Sequence, residues 1–173
     1  MIEFKYSIFI SFLIFILMII EYTLLVPALK ETTFYLGLLI TILPLSLIYF
    51  AIREKRDKVN FGFISFNEGL RTGIIITFAT AIIIVFITYI YFEIINKGMA
   101  LRLSKEVEHI LISSATPRES IDKTMEFIEL NYDLQSRISN NLLLIIVAGS
   151  GISAICSSML KKSQRKQNTY TAK

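Results

Sequence analysis

Thr72-Gly73-Ile74-Ile75-Ile76-Thr77-Phe78-Ala79-Thr80-Ala81-Ile82-Ile83-Ile84-Val85-Phe86-Ile87-Thr88-Tyr89-Ile90-Tyr91-Phe92 contains no charged side chain. At a rise of about 1.5 Å per residue, about 20 apolar residues cross a hydrocarbon core of about 30 Å. A soluble helix keeps a polar stripe opposite its apolar one. This run is apolar all round from Ile74 to Phe92. It reads as a membrane span, and it sets the frame for the rest of the chain.

Three further blocks share its character. Tyr6 to Ile20 is free of charge, Glu21 interrupts, and Tyr22 to Leu29 resumes. Thr32 to Ile52 and Ile138 to Leu160 are also charge-free. The pattern predicts one all-α domain with four crossings at about 6–27, 33–53, 71–95 and 138–160. Composition agrees. The 173 residues are 54% hydrophobic and only 18% charged, against about 25% charged in soluble proteins. Disorder needs few aliphatic residues and a high net charge. A β-barrel needs alternating strands of about 10 residues. Both are excluded.

The first block is longer than a signal-peptide core and lacks an A-x-A-like site. It reads as an uncleaved anchor closed by Pro27. Pro44 falls inside the second block and predicts a kink there.

Basic residues orient membrane proteins. Arg53, Lys55, Arg56, Lys58 and Arg71 lie between the second and third blocks. The tail at 161–173 holds Lys161, Lys162, Arg165, Lys166 and Lys173 with no acid. With Lys5 they share one side, which the positive-inside rule makes cytoplasmic. An inner-membrane protein with both termini in the cytoplasm is expected. The basic tail is explained by this rule, so no nucleic-acid partner is inferred.

The opposite side carries a polar loop over 98–136. Leu103, Val107, Ile110 and Leu111 fall at helical spacing, and Ile121, Met125 and Ile128 continue after Thr116-Pro117-Arg118-Glu119. This predicts an external amphipathic helical hairpin. Thr116 is the expected N-cap of its second arm, with Glu119 closing a capping box. The first arm either extends the third crossing or breaks from it at Gly98. The hairpin packs on itself and on the helix ends, or it docks a partner or lies on the membrane surface.

Glu21 is an ionisable residue inside a predicted crossing, with Glu93 ending the third crossing on the same side. Such residues are functional hypotheses. Two readings stand: an interfacial carboxylate, or a proton- or cation-carrying site. Small residues give a second signal. Gly149, Ser153 and Ser157 repeat every four residues, and Gly69 and Gly73 form a GxxxG. Small-xxx-small stripes let membrane helices approach closely. The seam reads first as internal packing and second as a homodimer interface. Cys156 is a small apolar filler, and lone His109 implies no metal site. No nucleotide-binding, metalloprotease or hydrolase motif is present. No enzyme activity, metal or cofactor is expected.

Tyr49-Phe50-Ala51-Ile52-Arg53 leads through a basic loop to Ile64-Ser65-Phe66-Asn67-Glu68-Gly69-Leu70-Arg71-Thr72-Gly73, then to the third crossing and Tyr89-Ile90-Tyr91. This layout resembles the bacterial membrane family called domain of unknown function 4199. The resemblance implies four crossings and a long polar loop before the fourth. It implies no activity. Within the motif, Ser65 is an expected N-cap, with Glu68 closing a capping box. The expected function is an accessory or partner-binding membrane protein. The alternative is a small transporter or channel subunit using Glu21. The expected partners are the lipid bilayer and either a second copy or another membrane protein.

Overall fold

The structure is a computed structural model that describes residues 2–20 and 40–162. Glu21, Pro27 and the tail from residue 163 lie outside the described residues. Helix α1 spans Ile2–Ile20. Residues 40–45 are helical, and after a turn at 46–47 α2 runs over Ile48–Glu54. A π-turn, Lys55–Val59, ends it. Helix α3 spans Phe66–Ile90 and closes in a second π-turn, Tyr91–Ile95. Helices α4 (Met99–Ser113) and α5 (Arg118–Tyr132) form a hairpin, and α6 covers Leu134–Leu160.

The described residues are all-α, with one isolated β-bridge among them, between Ile64 and Lys162. Among the described residues, three helices are long and apolar enough to cross a membrane: Ile2–Ile20, Phe66–Ile95 and Leu134–Leu160. Of the second expected crossing, only the part from residue 40 is described. Its helix breaks at Ser46–Leu47, just after Pro44. Proline supplies no N–H and its ring crowds the preceding turn. The chain there shifts to shorter spacing, with the Leu47 N–H donating to the Pro44 carbonyl at 3.1 Å.

The helices begin earlier than the charge-free blocks do. Helix α3 starts at Phe66 because Ser65 caps it: the Glu68 N–H donates to the Ser65 hydroxyl, and Glu68 accepts from the Ser65 N–H. Helix α6 starts at Leu134 because the Asp133 carboxylate accepts from the Gln135 N–H. Charged and polar residues are tolerated in these end turns, where they satisfy free N–H groups.

The hairpin corrects one expectation. Thr116 does not cap α5, and the Thr116–Glu119 capping box does not form; Pro117 is the N-cap residue, at ψ 140°. Thr116 is already engaged by the end of α4. Its N–H donates to the Leu111 carbonyl at 3.1 Å, and the Ala115 N–H to that of Ile112 at 3.1 Å. Ala115 takes φ +53°. This is the Schellman ending of a helix, with alanine in the left-handed position usually held by glycine. Gly98, at φ +76°, separates α4 from the π-turn that closes α3.

Helix α3 is central, packed against α1, α2 and α6. It runs parallel to α1: the Ser7 hydroxyl donates to the Ile76 carbonyl, and further out Phe15 meets the edge of Tyr91 at 6.4 Å. Two apolar clusters result. The larger one, around Ile10, Leu45, Ile48, Ile76, Ile84 and Ile145, fills the bundle. The smaller one joins Met18, Tyr91 and Phe92 to Met99, Leu103, Val107 and Ile128, so the hairpin is seated on the C-terminal ends of α1 and α3.

Candidate functional site

Much of the buried polar chemistry of the described bundle lies where α3 meets α6, and Ser7 and Ser11 add to it from α1. Toward the N-terminal end of α3 are the small residues. A Cβ on Gly69 would lie 2.9 Å from the Ser157 hydroxyl oxygen. A Cβ on Gly73 would collide with Ser153, and one on Gly149 would lie 2.6 Å from two Thr77 side-chain atoms. The helices are antiparallel here, with Gly69, Gly73 and Thr77 level with Ser157, Ser153 and Gly149. The structure thus brings all five small residues of the sequence pattern into one contact inside the chain. Glycine is needed because the opposing side chain occupies the space of its missing Cβ.

Hydroxyls flank this seam. Thr77 donates to the Gly73 carbonyl at 2.9 Å, Ser153 to that of Gly149 at 2.6 Å and Ser157 to that of Ser153 at 2.6 Å. Each uses a carbonyl four residues earlier in its own helix, which satisfies the hydroxyl without a partner helix. Ser11, Thr80 and Thr88 differ. They are fully buried, and their hydroxyls make no hydrogen bond among the described residues.

Outward from the seam the same α6 face carries Ile145, Asn141 and Arg137, one turn apart. A cavity of about 20 Å³ opens beside it, lined by Ile14, Met18, Ile40, Thr41, Ile84, Asn141 and Ile145. That is room for about one water. Arg137 lies one turn beyond, with only 4% of its surface exposed. Its guanidinium sits 4.4 Å from the centre of the Phe92 ring. A guanidinium stacks well on an aromatic face when removed from water.

The charge-free run that begins at Ile138 stops one residue short of Arg137. The signal was there: stepping back by fours from Gly149 along the small-residue stripe gives Ile145, Asn141 and Arg137. Of the two candidate carboxylates, Glu21 lies outside the described residues. Glu93 sits on the π-turn with its side chain exposed, and forms no ion pair among the described residues. Among the described residues no three His, Cys, Asp or Glu side chains gather into a metal-binding set.

At the other end of the bundle the charges are paired. The Tyr6 hydroxyl donates to Glu54 at 2.8 Å, Lys58 does so at 3.0 Å, and Lys5 lies 3.4 Å away. These contacts, the Tyr6 hydrogen bond first, hold the Glu54 carboxyl down at about 2. Arg56, with Arg53 behind it, likewise lowers the Asp57 carboxyl. Lys55 pairs with Glu3. The start of α1, the end of α2 and, through the Ile64–Lys162 bridge, the end of α6 therefore share one end of the bundle.

The chain matches the family model described as protein of unknown function DUF4199 over residues 5–162. It belongs to the DUF4199 family. Membership and the apolar spans together make it a multi-pass membrane protein embedded in a lipid bilayer. The match begins at Lys5 and ends at Lys162, so it takes in both partners of the Lys5–Glu54 pair and of the Ile64–Lys162 bridge. No curated protein and no solved structure matches the chain.

Proposed function

We propose that this DUF4199 protein is a non-catalytic accessory protein of the inner membrane, with four crossings, cytoplasmic termini and an external hairpin that binds a membrane-protein partner. The observation that carries this reading is the closure of the seam between α3 and α6. It is closed by side-chain contact, and the cavity beside it has room for about one water. A solute path needs more. The hairpin supports the second part: it is seated through Met99, Leu103, Val107 and Ile128, while Leu101 and Ile112 remain exposed on the opposite face of α4. The small-residue stripe is used inside the chain, which favours a different protein over a second copy docking through that stripe.

Transport is the second reading. The buried Arg137 and the polar residues Asn141 and Thr41 beside the cavity favour it, since charges inside membrane proteins mark ion and substrate paths. Glu21 is its proposed carrier.

One experiment separates them. Purified protein in sealed vesicles is assayed for proton and cation flux, and photo-crosslinkers are placed at Leu101 and Ile112 in native membranes. The accessory reading expects flux at the level of empty vesicles and a discrete adduct from both positions. Flux that disappears in Glu21→Gln overturns it in favour of transport.

A further inference from the structure

The turn joining α2 to α3 presents an aromatic ring to the outside. Phe61 is 87% exposed and takes φ +53°, and Gly62 follows at φ +88°. A bulky side chain in the left-handed region is uncommon and strained. The turn is nevertheless tied at both ends. The Gly62 N–H donates to the Arg56 carbonyl at 2.8 Å, and Ile64 and Lys162 exchange two backbone hydrogen bonds at 2.9 and 3.1 Å. The ring is therefore held outward by a fixed backbone.

The second tie also sets its depth. On α6 the apolar surface ends at Met159, 71% exposed, and Lys161 and Lys162 follow at once. That change from apolar to basic marks the border between hydrocarbon and headgroups. Ile64 is bonded to Lys162 at this border, and Phe61 is three residues away, within about 10 Å of chain. Exposed Phe66 begins α3 and exposed Phe50 lies one turn before the end of α2, so the lipid-facing belt reaches the turn.

Charge completes the pattern. Residues 2–5, 53–71 and 161–162 hold eight cationic side chains against four carboxylates. The carboxylates at Glu3, Glu54 and Asp57 are occupied by pairing; Lys58, itself paired with Glu54, keeps 73% of its side chain exposed, and Lys162 lies over the Phe63 ring at 5.6 Å. Basic side chains near a membrane surface attract anionic lipid, while an apolar ring beside them buries itself below the headgroups.

We propose that the Phe61 turn is a built-in membrane anchor, inserting Phe61 at the glycerol level while its basic surround binds anionic lipid headgroups. It does not depend on which leaflet this end faces, nor on the accessory or transport reading.

The chain has no tryptophan, so Phe61→Trp supplies a unique fluorophore at a position with little packing to lose. Phe86→Trp, on the exposed face of α3, serves as the lipid-buried reference. Both variants are reconstituted into phosphatidylcholine vesicles and into vesicles of equal phosphatidylcholine and phosphatidylglycerol, each carrying lipid brominated near the headgroup. The F61W emission is expected to be blue-shifted and quenched, at least twofold more in the anionic vesicles. Adding Lys58→Gln and Lys162→Gln removes that difference. Emission typical of water with no quenching, while F86W is quenched, overturns the insertion. Equal quenching in the two bilayers overturns the anionic selectivity. A blue shift without quenching overturns the lipid assignment in favour of a protein-covered ring.

Discussion

Gly73 on α3 and Ser153 on α6 occupy one another's space: the position a Cβ on Gly73 would take is already filled by the serine side chain. Gly73→Ala therefore forces the helices apart and is expected to destabilise the fold by about 1–3 kcal/mol, the usual cost of overpacking. Gly151 is the control, because a Cβ there meets nothing within 4 Å. Gly151→Ala is expected to be neutral or slightly stabilising through helix propensity. Unfolding in mixed micelles measures both. The pair Gly73→Ala with Ser153→Gly is expected to recover at least half the loss, since the two sites share one volume. Additive losses would show that the contact does not hold the helices together.

Arg137 stacks on Phe92 at the point where α6 meets the π-turn closing α3. Lysine keeps the charge but loses the planar stack. Arg137→Lys is expected to cost about 1–2 kcal/mol, in the range of a desolvated cation–π contact. Phe92→Leu is expected to cost a similar amount, and the double variant less than the sum. A double-mutant cycle on micelle unfolding reads the coupling. A coupling near zero would remove the stack as a source of stability.

These two contacts show what was legible in the sequence. The spans came from long charge-free runs, and the seam from a strict spacing of four between small residues. Both are periodic signals that survive without coordinates. Arg137 was harder because its burial depends on tertiary register: α6 starts four residues before its charge-free run, so a residue that looks like loop lies on the core face. The capping of α5 was illegible for a similar reason. Thr116-Pro117-Arg118-Glu119 fits a helix start locally, but the preceding helix claims the Thr116 N–H, and a choice between two endings is decided by Ala115 entering the left-handed region. Glu21 was the most conspicuous residue in the sequence and lies outside the described residues, whereas Glu93, its proposed neighbour, is exposed.

The ending of α4 gives a prediction in which sequence and structure disagree. If Thr116 were the N-cap, Thr116→Ala would cost about 1 kcal/mol. The structure leaves its side chain without that role, so the expected cost is a few tenths at most. Ala115→Gly is expected to stabilise the hairpin by about 1 kcal/mol, because glycine takes φ +53° without the strain that a Cβ adds. Amide hydrogen exchange across α4 and α5 measures local opening for both variants. Faster exchange in Thr116→Ala, with no slowing in Ala115→Gly, would restore the capping-box reading.

Glu54 ties three elements' charges together at the end of α2, and the linkage can be followed with pH. Its folded carboxyl titrates at about 2, below its ordinary 4.5, chiefly because it accepts from the Tyr6 hydroxyl and then from Lys58 and Lys5. A carboxyl held lower in the folded state stabilises the fold above its unfolded value and loses that contribution as pH falls toward the folded one. The contribution is thus present at neutral pH and fades between about pH 5 and pH 2. Glu54→Gln removes it throughout. The variant is expected to be less stable than the wild type at pH 7 and to converge on it as the pH approaches 2. Circular dichroism during micelle unfolding at stepped pH follows the difference. Curves that stay parallel down to pH 2 would mean that Glu54 is not held in its charged form by Tyr6 and the two lysines.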